Sequence, residues 1–218
     1  SGRRGIVLIH TVTIERLSKK IRGTVVLQDV GMRLESGKVY GLVGDNGSGK
    51  TMLMRAICGL ILPDSGEIRF DGESRAARNP TIGAMIENTS LYPDLTGIEN
   101  LQLLAKIRRQ IGRNQIQAAI KRVGLDPGDK RTYRKYSLGM KQRLLLAQAI
   151  MEQPDLLLLD EPSNALDQEG VAMVHQVMHQ EAGRGAIVLL ASHIRVDIRS
   201  HCARVYQMEH GVLQEVSP

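Results

Sequence analysis

The chain has 218 residues and a formal charge of +6, from 29 Lys and Arg against 23 Asp and Glu. That length fits one domain, with room for an inserted subdomain, and suffices to bury a substantial core. With 42% hydrophobic and 24% charged residues the composition is that of an ordinary globular protein, and no repeat or low-complexity tract interrupts it. Aromatic residues make up only 3%, with no Trp and a single Phe, so the core rests on Leu, Ile, Val and Met. The same scarcity removes most stacking platforms for bases and weighs against single-stranded nucleic acid as a partner. The positive balance fits an anionic partner, whether a nucleotide, a nucleic acid or an acidic membrane face, and equally a solvated basic surface. Cys58 and Cys202 lack metal-type spacing and read as buried thiols of a reducing compartment. The longest apolar runs, such as Ala186–Ala191, fall far short of the ~18 residues of a membrane span, and no signal-peptide pattern is present. A cytoplasmic location is expected.

In chain order, the first third reads as strands and turns. Ile6–Ile14 and Val25–Val30 are apolar, β-branched runs, and Lys38–Val43 leads straight into a glycine-rich loop. Met52–Leu60 has helical character and stops before Pro63. Glu67–Phe70, between Asp64-Ser65-Gly66 and Asp71-Gly72, reads as a hairpin strand. The middle is helical: Ile98, Leu101, Leu104 and Ala105 share one face, and Ile116, Ala119, Ile120 and Val123 repeat the spacing up to a terminating Gly124. A basic link over Lys130–Lys135 leads to a third helix, Gly139–Met151. The last third alternates again. Asp155–Leu159 is a strand buried on both faces, followed by a helix over Gly170–Glu181, a strand over Ala186–Ala191, and a hairpin of Val205–Met208 with Val212–Val216 around His210-Gly211. Apolar strands alternating with helices predict an α/β core with a mostly parallel sheet.

Gly44-Asp45-Asn46-Gly47-Ser48-Gly49-Lys50-Thr51 fits G-x-x-x-x-G-K-[ST] between an apolar strand and a helix. Phosphate oxygens need many donors at short range, and glycines let backbone N–H groups turn inward without a Cβ clash. Lys50 adds a point charge for β- and γ-phosphates, and the Thr51 hydroxyl can ligate Mg²⁺. The helix that starts here aims the positive end of its dipole at the same anion. Further on, Leu156–Leu159 runs into Asp160 and Glu161. Asp160 leaves the strand at the edge where α/β sheets bind ligands, in place to hold the water shell of Mg²⁺. Glu161 beside it is placed to polarise a water attacking the γ-phosphate. The chemistry this predicts is Mg²⁺-dependent ATP hydrolysis.

Together with three further segments, these motifs resemble the nucleotide-binding subunits of ABC transporters over nearly the whole chain. Tyr136-Ser137-Leu138-Gly139-Met140-Lys141-Gln142-Arg143 is similar to that family's signature before a helix, although Ser137 also reads as a plain helix cap. Ser163-Asn164-Ala165-Leu166-Asp167 resembles its D-loop, with Asp167 alternatively a helix-starting Asp. His193, in Ala191-Ser192-His193, resembles its switch histidine. The resemblance implies two subunits packed head to tail, so that Ser137, Gly139 and Asp167 of one complete the ATP site of the other. It further implies a P-loop core with an N-terminal antiparallel β subdomain and an inserted helical subdomain: core at about 1–86 and 152–218, helical part at 87–151, one domain in all. A separate membrane permease would hold the chain on the inner face of the cell membrane, as partner to a homodimer or heterodimer, with no nucleic acid expected.

Several positions depart from the family pattern. Glu87 stands where the family has the Q-loop glutamine near Mg²⁺. Leu138 and Met140 replace a signature Gly and Gln, and Ile21 lies near the place of the usual adenine-stacking aromatic. Glu87 and the Tyr136–Arg143 run resemble exporters of bacitracin and lantibiotic-immunity type, implying export of a peptide antibiotic. The alternative is a soluble ATPase of the same family acting on DNA, the ribosome or cluster assembly, against which stand the lack of a heptad insert and of a second cassette.

Overall fold

The computed structural model of the chain describes residues 8–86, 90–193 and 200–216. In chain order its elements are β1 (Thr11–Ile21), β2 (Thr24–Glu35), β3 (Val39–Val43), α1 (Lys50–Cys58), β4 (Ser65–Phe70), β5 (Glu73–Ser74), α2 (Arg75–Arg78) and β6 (Ile82–Met85). Then follow α3 (Gly97–Arg108), α4 (Arg113–Arg122), α5 (Leu138–Ile150), β7 (Leu156–Asp160), α6 (Gln168–Gly183), β8 (Ile187–Ser192), β9 (Arg204–Glu209) and β10 (Val212–Val216).

Two sheets organise them. A four-stranded antiparallel sheet has the order β2-β1-β4-β5, and a six-stranded sheet has the order β10-β9-β3-β8-β7-β6. Every neighbouring pair from β9 to β6 is parallel, and β10 joins antiparallel at the edge. The hairpins at Asp71-Gly72 and His210-Gly211 turn with positive φ at both residues, as a tight two-residue connection requires.

β3 and β7 are buried along their whole length, which is why they read as continuous apolar runs. Their side chains divide by parity between two cores. Val39, Val43, Leu157 and Leu159 face a core built with α3, α4, α5 and α6. Tyr40, Leu42, Leu156 and Leu158 face a second core with α1 and the antiparallel sheet. The result is a layered α/β molecule whose central sheet is parallel, as the sequence predicts. The helices α3 to α5 lie in the chain between β6 and β7. No described helix is long and apolar enough to cross a membrane. Both thiols are free; burial pushes Cys58 up to about 11 and Cys202 up to about 12, leaving them inert at neutral pH.

The first strand departs from the expected Ile6–Ile14, of which Ile6 and Val7 lie outside the described residues. β1 runs on to Ile21 because its pairing with β2 shifts register after Ile14, after Leu17 and after Lys19. Arg16 sits at φ 46 in the first of these irregularities, which returns Leu17 to the core. A bulged strand loses its period-two pattern, so the polar stretch Glu15–Lys20 conceals it. The short β6 also went unpredicted.

Asp71 ties the start of β1 to α2. Its carboxylate accepts from the His10 and Thr11 amides, both at 2.8 Å, and from Arg78 Nε at 3.0 Å. Burial raises its pKa, but the Thr11 amide, the Arg78 guanidinium and the His10 amide outweigh this and hold it below the usual 3.8. A depressed carboxyl contributes stability that is present above its unfolded value and lost as pH falls through its folded value. Asp71→Asn is therefore expected to cost about 1–2 kcal/mol in urea unfolding at neutral pH. The gap between variant and wild type should close as the pH is taken down from 3.8.

Candidate nucleotide-binding site

The loop of residues 44–49 joins the C-terminal end of β3 to the first turn of α1, so the end of a parallel strand feeds the positive end of a helix. Two of its glycines are dictated by close approach. A Cβ on Gly44 would overlap the Met208 carbonyl oxygen, and Gly49, at φ 116, would place one 2.8 Å from the Val26 carbonyl oxygen. The β9–β10 turn braces the loop from outside, with the Gly211 amide donating to the Ser48 carbonyl at 2.8 Å.

Inside the loop, the buried Lys50 ammonium donates to the carbonyls of Gly44 at 2.6 Å and Asp45 at 3.1 Å. The Ser48 hydroxyl is buried without a hydrogen-bond partner among the described residues. Across the cleft, the Thr51 hydroxyl donates to Asp160 Oδ2 at 2.6 Å, joining the start of α1 to the end of β7. Glu161, the next residue, adopts φ 50 and anchors its amide to the Ala191 carbonyl at 2.9 Å. One of its carboxylate oxygens lies 3.0 Å from His193 Nδ1, and the other is buried with no hydrogen-bond partner among the described residues. Lys50, Thr51, Asp160, Glu161 and His193 line one cleft of about 630 Å³, of the size that takes a nucleotide; Ser48 is not among its lining residues.

Its walls include Asn46, Gly47, Gly49, Lys50, Thr51, Asp160, Glu161 and His193, all singled out from sequence. Ile21 and Val26 add an aliphatic wall, with no Phe, Tyr or Trp ring beside them among the described lining residues. Asn164, of the D-loop-like segment, also lines the cleft, and so do Met52 and Arg55, to which the sequence reading assigned no role. Arg55 follows Thr51 by four positions on α1, so helix periodicity places it on the same face. Gly44 and Asp45 form the floor of the loop through their carbonyls.

Thr51 and Asp160 bear on how a divalent cation would be held. Among the described residues no three His, Cys, Asp or Glu side chains converge as a self-sufficient metal centre. One hydroxyl and one buried carboxylate at the mouth of a phosphate cradle instead fit Mg²⁺, which takes one or two protein oxygens and completes its shell with phosphate and water.

Ser137, Gly139 and Asp167 stand apart from this cleft. Ser137 caps α5, its hydroxyl accepting from the Met140 amide at 3.2 Å. Asp167 caps α6, accepting from the Gly170 amide at 2.9 Å, and lies 3.7 Å from Arg143 Nη2. The cap readings of both are thus realised within the single chain. Leu138, where the family has Gly, is largely exposed. Glu87 lies outside the described residues.

The family model described as ABC transporter matches residues 27–164. The uncharacterized ABC transporter ATP-binding protein YybJ of Bacillus subtilis is 46% identical over 206 residues, covering 93% of this chain and 94% of its own. The bacitracin transport ATP-binding protein BcrA of Enterococcus faecalis is 34% identical, over 96% of this chain and 70% of its own. The lantibiotic transport ATP-binding protein SrtF of Streptococcus pyogenes is 34% identical, over 85% and 81%. A solved ATP-binding subunit of an ABC transporter superposes with TM-score 0.84 at 25% identity, over 94% of this chain and 89% of that one. The dimeric bacterial cassette MJ0796 shares the fold with TM-score 0.85 at 21% identity, over 94% and 98%. With the phosphate loop, the Thr51–Asp160 contact and the Glu161–His193 pair in one cleft, the chain belongs to the ABC transporter family, as one of its ATP-binding subunits.

Proposed function

We propose that this subunit hydrolyses Mg²⁺-ATP and passes the energy to a separate membrane permease that exports a peptide antibiotic or similar compound. The observation that carries the catalytic part is Glu161: a buried carboxylate oxygen without a partner, at the edge of a phosphate-sized cradle, beside His193. Loop amides of residues 44–49 and the Lys50 ammonium bind the phosphates, with Lys50 exchanging two carbonyl contacts for phosphate oxygens. Thr51 and Asp160 would hold Mg²⁺, which when bound neutralises charge on the β- and γ-phosphate oxygens. Glu161 accepts hydrogen bonding from the attacking water and takes its proton. His193 keeps that carboxylate oriented and reaches toward the γ-phosphate. Ile21 and Val26 give the base an aliphatic surface in place of a stacked ring.

Ser137, Gly139 and Asp167 are proposed to act on the nucleotide of a second subunit, which accounts for their distance from the cleft of their own chain. Residues 87–151 form the proposed helical subdomain and contact surface for the permease, with 1–86 and 152–218 as catalytic core. Glu87 is placed by sequence at their junction as a further oxygen near the metal. The peptide-antibiotic substrate rests on the names of the bacitracin and lantibiotic relatives. This arrangement holds the chain on the inner face of the membrane.

Capture of the tagged chain from detergent-solubilised native membranes, followed by mass spectrometry, tests the coupling. A stoichiometric multi-span partner is the expected result. Retention instead on nucleic acid, with a steep loss on adding salt, would overturn the transport reading.

A further inference from the structure

We propose that Gln142 is a positioning residue for Glu161, tying the backbone of the catalytic carboxylate to the helix that carries Ser137 and Gly139. The proposal rests on the reading of Glu161 as the group that activates water. Gln142 lies on α5, a little over one turn from its Ser137 cap, and its side-chain amide leaves the helix toward the end of β7. Its Nε2 donates to the Glu161 carbonyl at 3.2 Å and to the Pro162 carbonyl at 3.4 Å.

Glu161 needs such a hold. It is a non-glycine residue at φ 50, a conformation that persists only where its surroundings over-determine it. Its amide is fixed by the Ala191 carbonyl of β8 at 2.9 Å. Its carbonyl accepts from the Asn164 amide at 3.2 Å, a contact within the same turn. Gln142 is the donor to this carbonyl that comes from another element. Without it, among the described residues, the Glu161 carbonyl keeps the Asn164 contact of its own turn alone, and the backbone that aims the carboxylate is less constrained.

The same helix presses on the rest of this segment. A Cβ on Gly139 would come 3.3 Å from the Ala165 carbonyl, and Ala165 is itself left-handed at φ 63. Arg143 adds its contact to Asp167 at 3.7 Å and donates to the Val123 carbonyl at 3.0 Å. A displacement of the α5 N-terminus would therefore reach Glu161 through Gln142 without passing through the phosphate loop. Since Ser137 and Gly139 sit at that N-terminus, whatever engages them also bears on the geometry of Glu161.

Steady-state ATP hydrolysis by the full chain, with calorimetric ATP binding on the same preparations, tests this. Gln142→Ala removes the donor, and Gln142→Glu keeps the side-chain volume but sets an acceptor against the two carbonyls. Because Gln142 is only partly buried, both variants are expected to fold. Both should lower kcat about tenfold, the rate equivalent of one lost hydrogen bond at a positioned group, with KM and the ATP dissociation constant within about twofold of wild type. Combined with Glu161→Gln, either should add less than about twofold to the loss already caused, because the two residues act in one chain of contacts. Wild-type kcat in both variants, losses that multiply in the double variants, or a change confined to KM would each overturn the proposal. If Glu161→Gln turned over normally, the underlying reading of Glu161 would fall. If Glu161→Gln were inactive and both Gln142 variants normal, only the positioning role would.

Discussion

Glu161→Gln is expected to reduce ATP turnover by roughly two to four orders of magnitude, the range ascribed to a positioned general base, while ATP still binds. The amide has nearly the shape of the carboxylate, so it can occupy the same buried position at the end of β7. It cannot take a proton from water. The phosphate loop, Lys50 and Thr51 are untouched, so nucleotide affinity should stay within a few-fold of wild type. The variant would accumulate with ATP bound rather than with products, and rapid filtration with labelled ATP would read this directly. The neutral side chain also ends the charge-assisted contact at 3.0 Å from His193 Nδ1, so part of the loss reflects a less well-oriented group. A fall of less than about threefold would be too small for a base in direct contact with the water and would remove Glu161 from that role.

Lys50→Ala acts on the step before. The ammonium is buried and forms two short contacts with carbonyls of its own loop. In the ATP complex it would trade them for charged oxygens, which are stronger acceptors. Losing charge-assisted hydrogen bonds of about 1.5–3 kcal/mol each should weaken ATP binding by roughly a hundredfold. The loop is also braced without Lys50, by the Gly211 amide on the Ser48 carbonyl at 2.8 Å and by the Thr51 contact to Asp160, so the fold should survive. The expected signature is thus a large loss of ATP affinity with little change in melting temperature. A comparable loss of both would mean that Lys50 acts mainly as a strut of the loop.

What the sequence discloses about this site follows from how local each contact is. The cradle of residues 44–51 is built from consecutive backbone groups, so its chemistry is readable from eight residues. The Leu156–Asp160 run is readable because a strand buried on both faces tolerates only apolar side chains until it ends. The neighbourhood of Thr51 and Asp160 could be inferred, since both positions are tied to one ligand. The Gln142 contact to Glu161 has no such local sign: its donor and acceptor meet only because α5 packs across the end of β7. Asp71 is opaque for the same reason, its amide partners lying about sixty positions away in the chain. In β1, register shifts scramble the alternation that marks a strand, so the expected run stops at Ile14 although Leu17 is buried. Ser137 and Asp167 were each open to two readings. The single chain realises the capping one for both, and the proposed role across a dimer seam would add to the cap without replacing it.

The account depends most on the claim that the loop around Lys50 grips the phosphate chain rather than the base, because the described walls of the cleft include no aromatic ring for the base to stack on except the His193 imidazole beside Glu161. Calorimetric titration of the wild-type chain with ATP, tripolyphosphate and adenosine, each with Mg²⁺ supplied, tests it most directly. ATP and tripolyphosphate should both give saturable heats, and adenosine should bind more weakly than ATP by at least about a hundredfold. Adenosine binding as tightly as ATP, or no saturable heat with ATP, would contradict it.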